Sequence, residues 1–236
     1  MRSCLIQFVI MIAVIFALLW FGLPFGASWL ATNVLNAAGF SGTNTKVTVS
    51  ADLPPRILLG HADRVRITSS QVTVGDLKAD AIDVTLGDVD LLKRTIGSAR
   101  GTLTGVHMVT ANGDPVTFDT VTINGVGTGA TATLTMPSAD LGDMVLAQLK
   151  AQKLKATSVT FAAPNVVTVT VGKQSKKGQV LVKNGALQVT VAGFSPSTIT
   201  VMDAGTGNPF HFTSVSVAGG TVTLVGTIDL ESLLGL

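Results

Sequence analysis

Apolar and polar residues alternate with a period of two along most of the chain that follows residue 60. Val65 and Ile67 are separated by an arginine, and Ile82, Val84 and Leu86 repeat this spacing after a polar turn. Such alternation is typical of strands that bury one face of a sheet. The pattern recurs over residues 101–109, 116–123, 130–136, 158–162, 166–171, 179–183, 187–191, 198–202, 210–217 and 221–225. The sequence therefore predicts a mostly antiparallel sheet of many strands.

Glycine-containing turns separate these predicted strands. Asn184-Gly185 and Gly219-Gly220 are strong hairpin signals, because their backbones adopt the positive φ values that tight turns require. The glycine-rich stretch from Gly125 to Gly129 superficially resembles a nucleotide-binding loop. It precedes a Thr-rich strand and no helix, so the sequence indicates another turn at this point.

A helical pattern interrupts the strands over residues 138–150. Ser138 is predicted to cap this helix, Asp140 lies near its positive end and Lys150 near its negative end. Four apolar residues at helical spacing form one stripe: Leu141, Met144, Val145 and Leu149. The stripe must be buried, either as ordinary core against the sheet or around an acyl chain, and the pattern is compatible with both.

A proline-rich apolar segment precedes the first predicted strand. Residues 53–60 read Leu-Pro-Pro-Arg-Ile-Leu-Leu-Gly, too apolar for an ordinary loop and too rich in proline for a strand. Proline is favoured at the first position of a helix and glycine just after its last turn. The segment is predicted to form a one-turn helical lid that ends at Gly60.

The N-terminal residues have the composition of a membrane span. Residues 5–23 are apolar except for Gln7, which is long enough to cross the hydrocarbon core as a helix. A cleaved signal peptide is the alternative, but Phe25-Gly26-Ala27 is a poor cleavage site. We expect an uncleaved anchor over residues 1–26. Arg2 is the only charged residue before Lys46, which predicts a cytoplasmic N-terminus and an extracytoplasmic remainder.

Residues 27–45 are expected to join this span to the globular domain. Residues 27–38 are uncharged and have helical spacing, so they predict a helix that ends at Gly39. This helix could lie beside the membrane or close one end of a groove. Residues 40–45 have the Gly, Ser and Thr content of a short linker. The domain that follows is predicted to cover residues 46–236.

Composition excludes several classes of function. Charged residues make up 13% of the chain, the formal net charge is +2 and tyrosine is absent, which argues against a nucleic-acid partner. Cys4 is the only cysteine, so neither an intrachain disulfide nor a multi-cysteine metal site can form. His61, His107 and His211 lack paired-ligand spacing. No catalytic motif is present, and we expect neither an enzyme nor a cofactor or metal requirement.

The order of motifs around the first strands resembles the LmeA-like family of phospholipid-binding envelope proteins. An apolar, proline-containing turn ends in Gly60 and is followed by Asp63-Arg64-Val65-Arg66-Ile67, then by residues 72–77 and Asp83-Val84-Thr85-Leu86. The resemblance extends over roughly residues 46–236. It implies a lipid-holding fold related to the tubular lipid-binding superfamily, without catalytic activity.

These observations together predict an α+β fold, in which a curved, mostly antiparallel sheet wraps around one or two helices after an N-terminal transmembrane helix. The expected function is phospholipid binding or lipid transfer in the cell envelope, by a single-pass protein of the plasma membrane with its domain outside. Seven apolar residues are predicted to contact acyl chains: Leu53, Ile57, Leu58, Leu141, Met144, Val145 and Leu149. The alternative is a structural or protein-interaction module that binds no lipid.

A basic hairpin is the predicted contact with the membrane surface. Residues 172–178 carry Lys173, Lys176 and Lys177 next to two glycines. Lysines near an anionic membrane surface are worth about 1 kcal/mol each, enough to orient a tethered domain. The alternative is a solvated hairpin tip with no partner.

Overall fold

The computed structural model describes residues 40–52, 56, 60–74, 77–90, 92–93, 95–109, 115–127, 129–202 and 210–229. Antiparallel strands dominate these residues, and one helix, α1, interrupts them. The elements in chain order are β1 Phe40–Ser50, β2 His61–Val74, β3 Leu77–Asp90, β4 Thr95–Val109, β5 Pro115–Val126, β6 Gly129–Pro137, α1 Ser138–Ala151, β7 Ala156–Ala162, β8 Val166–Val171, β9 Gln174–Lys183, β10 Ala186–Val191, β11 Thr198–Met202, β12 Phe210–Ala218 and β13 Thr221–Asp229.

The strands form two sheets. The large sheet has the order β1-β2-β3-β4-β5-β6-β13-β12, and the small sheet has the order β11-β10-β9-β8-β7. All neighbouring strands are antiparallel. β6 and β13 pair with each other although α1 and the whole small sheet lie between them in sequence. The strands are consecutive from β1 to β6. After α1 and the small sheet, the chain returns to the large sheet as the hairpin of β12 and β13, and its second strand pairs with β6.

The large sheet is curled, and bulges account for the curl. Asn44 in β1, Gln71 in β2 and Gly105 in β4 all have positive φ, at 55°, 50° and 56°. At Gly105 the glycine is required, because a Cβ there would overlap the Asp80 carboxylate of β3. An unpaired residue bends its strand and increases the local twist. A row of such residues across neighbouring strands therefore bends the sheet as a whole.

The apolar faces of the two sheets belong to one continuous core. Alternate residues of β3 are buried, and those of β8 and β10 follow the same rule. Helix α1 makes its most extensive contacts with β7 and smaller ones with β11, β6, β13 and β5. It therefore lies between the small sheet and one end of the large sheet, and strand β12 contacts β9 directly beside it.

Asn165 joins the small sheet to the edge of the large one. It lies in the turn between β7 and β8, where its Nδ2 donates to the carbonyl of Val215 at 3.0 Å and its Oδ1 accepts from the backbone N–H of Val217 at 2.9 Å. Val215 and Val217 belong to the edge strand β12. The side-chain amide thus satisfies backbone groups that an edge strand would otherwise leave without a protein partner.

The structure corrects the predicted fold class. The large sheet does not wrap around the helix, since α1 is covered mainly by the small sheet, and 75% of the structure is strand. No helix among the described residues is both long and apolar enough to cross a membrane. The segment predicted to span the membrane, residues 1–26, lies outside the described residues, as does the helix predicted over residues 27–38.

Local predictions are confirmed in most places and wrong in two. The predicted strands 166–171 and 198–202 coincide with β8 and β11, and the predicted helix coincides with α1 to within one residue. Residues 40–45, predicted as a linker, are part of β1, because they pair with β2. Ser138 does not cap the helix: Pro137 occupies that position without a side-chain hydrogen bond, and the Ser138 backbone N–H donates to the carbonyl of Gly220.

Candidate functional site

The apolar stripe of α1 is buried against protein. Leu141, Val145 and Leu149 are 0% exposed and Met144 is 8% exposed. At Gly142 the helix approaches β7 so closely that a Cβ would lie 2.8 Å from the carbonyl oxygen of Val159. Gly142 has no side chain, so the helix backbone contacts the backbone of β7 directly. The interface between α1 and β7 therefore leaves no room for an acyl chain at that point. The stripe has the packing of an ordinary helix–sheet core.

The structure does not bring the two predicted halves of the lipid site together within the described residues. Leu53, Ile57 and Leu58 lie outside those residues, while the four residues of the stripe pack in the core beside the small sheet. That all seven contact lipid stays a prediction.

A second apolar surface, which the sequence analysis did not single out, lies on the inner side of β2, β3 and β4. We call it the inner face, and it is formed by Val65, Ile67, Ile82, Val84, Leu86 and Leu103. These side chains are between 0% and 7% exposed. Within the described residues, the extensive contacts of β1–β4 are all with neighbouring strands of the large sheet. The low exposure of these side chains shows that protein already covers the inner face, which belongs to the same core cluster as the stripe of α1.

One polar group interrupts the inner side of β2. Ser69 is 4% exposed, and its hydroxyl lies 2.7 Å from the Thr45 hydroxyl and 3.3 Å from the Thr43 carbonyl oxygen, to which it donates. Both partners come from β1, at the bulge around Asn44. Hydrogen bonds to β1 therefore satisfy the buried Ser69 hydroxyl. The side chains that form the inner face are all apolar.

An acidic cleft of about 290 Å³ opens beside the N-terminal half of α1. It is lined by Pro115, Thr117, Asp140, Asp143, Met144 and Ala147. Burial, together with the nearby charges of Asp143 and Asp119, raises the pKa of Asp140. The two carboxylates that line this cleft make it a poor place for acyl chains, since burying a charge without a partner is unfavourable.

The predicted membrane-contact lysines occupy different environments. Lys173 lies in the turn between β8 and β9 and is exposed, as is Lys177 on β9. Lys176 points to the other side of β9, where its Nζ donates to the carbonyl of Gly193 at 2.8 Å and lies 5.2 Å from the centre of the Phe194 ring. Lys176 is therefore partly committed to the protein, while Lys173 and Lys177 are free to meet a surface. Contact with a membrane stays a prediction.

Sequence reasoning missed a group of three potential metal ligands. His61 and Asp63 on β2 and Asp88 on β3 each place a ligand atom within 4.8 Å of the other two. Hydrogen bonds hold the Asp63 carboxylate ionised, chiefly one from the backbone N–H of Asp52, and lower its pKa. The available signal was His-x-Asp, because residues two apart on a strand project to the same side. The third member comes from strand register and is invisible in sequence spacing.

Comparisons of the chain with protein-family models, with curated proteins and with solved structures give no match. The resemblance to the LmeA-like family therefore rests on the motifs around β2 and β3 alone.

Proposed function

We propose that this chain is a lipid-binding or lipid-transfer protein of the cell envelope, which holds acyl chains against the inner face of β2–β4. The observation that carries the proposal is the inner face itself: six buried apolar side chains on three adjacent strands of the curled sheet, whose extensive contacts within the described residues are with neighbouring strands of the same sheet.

The dimensions of the curled half suit an acyl chain. β2 and β3 are each 14 residues long, which at about 3.3 Å per residue corresponds to roughly 46 Å. One leaflet of a bilayer contributes about 15 Å of hydrocarbon thickness. The strands are therefore long enough to run beside a whole acyl chain, and a curled sheet surrounds it on more than one side.

The chemistry of the surface supports the same occupant. Each buried methylene contributes about 0.8 kcal/mol, so a long acyl chain gains many kcal/mol from apolar contact without any directed polar group. The opposite side of the same strands carries Arg66 and Asp83, whose side chains form an exposed ion pair at 2.6 Å. An apolar interior beneath a polar outer side is the arrangement that a water-soluble lipid carrier requires.

The motif resemblance points in the same direction. The strands that match the LmeA-like pattern, β2 and β3, are the ones that supply most of the inner face. The stripe of α1 packs on β7 too closely at Gly142 to admit an acyl chain at that point. We therefore place the acyl chains nearer to Leu103 and Ile82 than to Val145.

The test is the amount of phospholipid that co-purifies with the full chain, measured by native mass spectrometry and by lipid extraction. Wild type is expected to carry phospholipid in a fixed ratio. Leu103→Trp fills ligand space and is expected to lower occupancy, whereas Thr102→Trp, on the exposed side of the same strand, is the matched control and retains lipid. Absence of lipid from wild type, together with strong destabilisation by Leu103→Trp, would identify an ordinary core and favour an interaction module.

A further inference from the structure

We propose that His61, Asp63 and Asp88 form a binding site for a divalent transition-metal ion at the end of β2 and β3. The site is independent of the inner face and of any lipid.

The three ligands already converge. His61 Nε2 lies 3.2 Å from Asp63 Oδ1, and the nearest ligand atoms of all three residues lie within 4.8 Å of one another. Metal–ligand distances of about 2.0–2.2 Å require ligand atoms roughly 3–4 Å apart. Small side-chain rotations therefore suffice to close the group around one ion.

Strand register places the two carboxylates opposite each other. Ala62 pairs with Val89 and Arg64 pairs with Gly87, so Asp63 faces Asp88 across the β2–β3 ladder. Like charges directly opposite on neighbouring strands are destabilising. A bound cation converts this repulsion into attraction, which gives a physical reason for the pair.

The alternation of buried and exposed residues also shifts at this position in β2, β3 and β4. Buried residues alternate regularly through Val65 and Leu86, but the next buried ones, Ala62 and Val89, come three positions away. β4 shows the same shift between Ala99 and Ile96. Asp88 lies at the shift with a φ of 49°. Bulges re-aim side chains, and they are frequent beside functional sites.

A glycine accommodates the re-aimed side chain. A Cβ on Gly97 of β4 would lie 2.7 Å from the Asp88 Cβ and 3.1 Å from its Oδ2. Asp88 thus lies directly over the backbone of Gly97, and any larger residue there would displace it. Asp90 is not one of the proposed ligands. Its carboxylate accepts a hydrogen bond from the backbone N–H of Lys93 at 2.9 Å and forms an ion pair with the Lys93 Nζ at 3.3 Å.

The donor set selects the class of ion. One imidazole and two carboxylates carry a charge of −2 and suit Zn²⁺, Mn²⁺ or Fe²⁺, whereas Ca²⁺ and Mg²⁺ prefer oxygen ligands alone. Asp63 Oδ2 accepts the Asp52 backbone N–H, which fixes the carboxylate in the manner of an outer-shell partner. The Arg56 guanidinium, 3.4 Å from Asp63 Oδ1 and 47% exposed, competes with the ion for that oxygen.

Titration of the full chain with Zn²⁺, followed by calorimetry, and with Co²⁺, followed by its visible absorption, tests the assignment. We expect one ion per chain. Asp88→Asn keeps a residue that tolerates positive φ and weakens affinity by about tenfold or more. Arg56→Gln removes the competing cation and strengthens binding, an effect that a purely structural role for Arg56 would not produce. Asp80→Asn, an exposed aspartate of the same strand, is the matched control and leaves affinity unchanged.

The assignment is overturned if the wild type binds neither ion at a single site, or if Asp88→Asn and Asp80→Asn bind as the wild type does. Weaker binding by Arg56→Gln would also contradict it, since the guanidinium would then support the site. Circular dichroism of each variant confirms that the sheets are retained, so a loss of binding reports on the ligands.

Discussion

Truncation of Leu141 measures whether the stripe of α1 is core or part of a lipid groove. Leu141 is 0% exposed and lies one residue before Gly142, where a Cβ would lie 2.8 Å from the Val159 carbonyl oxygen of β7. Truncation of a buried leucine to alanine removes transfer free energy and leaves a cavity that a well-packed site cannot close, at a cost of about 2–5 kcal/mol. For a chain of this size that corresponds to a fall in Tm of about 4–20 °C.

The matched control is Leu92, a leucine whose side chain is exposed. Leu92 is 76% exposed in the turn after β3, so Leu92→Ala is expected to change the free energy of unfolding by about 0.5 kcal/mol or less. Urea unfolding of wild type, Leu141→Ala and Leu92→Ala supplies the three free energies. In a lipid groove, ligand would fill the space and Leu141→Ala would cost little. A difference between the two variants below about 1 kcal/mol would refute our interpretation of the stripe as core.

Three further predictions concern the edge of the large sheet, its exposed side and the basic turn. Asn165→Ala leaves two backbone groups of β12 without their partner and is expected to lower the free energy of unfolding by about 1–3 kcal/mol, measured by urea titration. The Arg66 hydrogen bond and charge hold the pKa of Asp83 below its ordinary value of 3.8, so Arg66→Gln raises that pKa, which NMR titration can follow. Joint replacement of Lys173 and Lys177 by Gln is expected to weaken binding to anionic vesicles by about 2 kcal/mol, or roughly 30-fold, at low salt.

Each of these three has an outcome that would contradict it. Asn165→Gly tolerates the φ of 60° at this turn and removes the amide without backbone strain; stability equal to that of the wild type in this variant would show that the amide does not join the sheets. A depressed carboxyl pKa stabilises the fold above the ordinary value and loses that contribution as the pH falls through the folded-state pKa. A stability deficit of Arg66→Gln that persists in acid would therefore count against the ion pair. Vesicle binding that does not change with salt concentration would show that Lys173 and Lys177 do not contact the anionic surface.

Sequence patterns predicted the strands well because period two and one buried face leave little freedom. β8 and β11 have the predicted bounds. The alternation of β8 ends directly before Gly172, and polar turns flank β11. The same reasoning failed at β1, where Gly, Ser and Thr suggested a linker. Pairing with β2 over its whole length overrides the weak local preference of these residues.

The curl and the metal-ligand group were beyond the reach of local patterns. Gln71 and Asp88 adopt positive φ although neither is glycine, so nothing in the sequence marks where the large sheet bends. The insertion of α1 and the small sheet between β6 and β13 brings strands together that are more than eighty residues apart. The partnership of Asp63 with Asp88 depends on register, which the pattern of one strand does not determine.

The most direct measurement of lipid binding at the inner face is photo-crosslinking with a phospholipid that carries a diazirine in its acyl chain. The full chain would be loaded, irradiated and digested, and the labelled residues mapped by mass spectrometry. We predict label on residues of the inner face, such as Ile82 and Leu103, and none on Thr102 of the exposed side. Label confined to the stripe of α1, or no label above that of an unrelated protein, would contradict binding at the inner face.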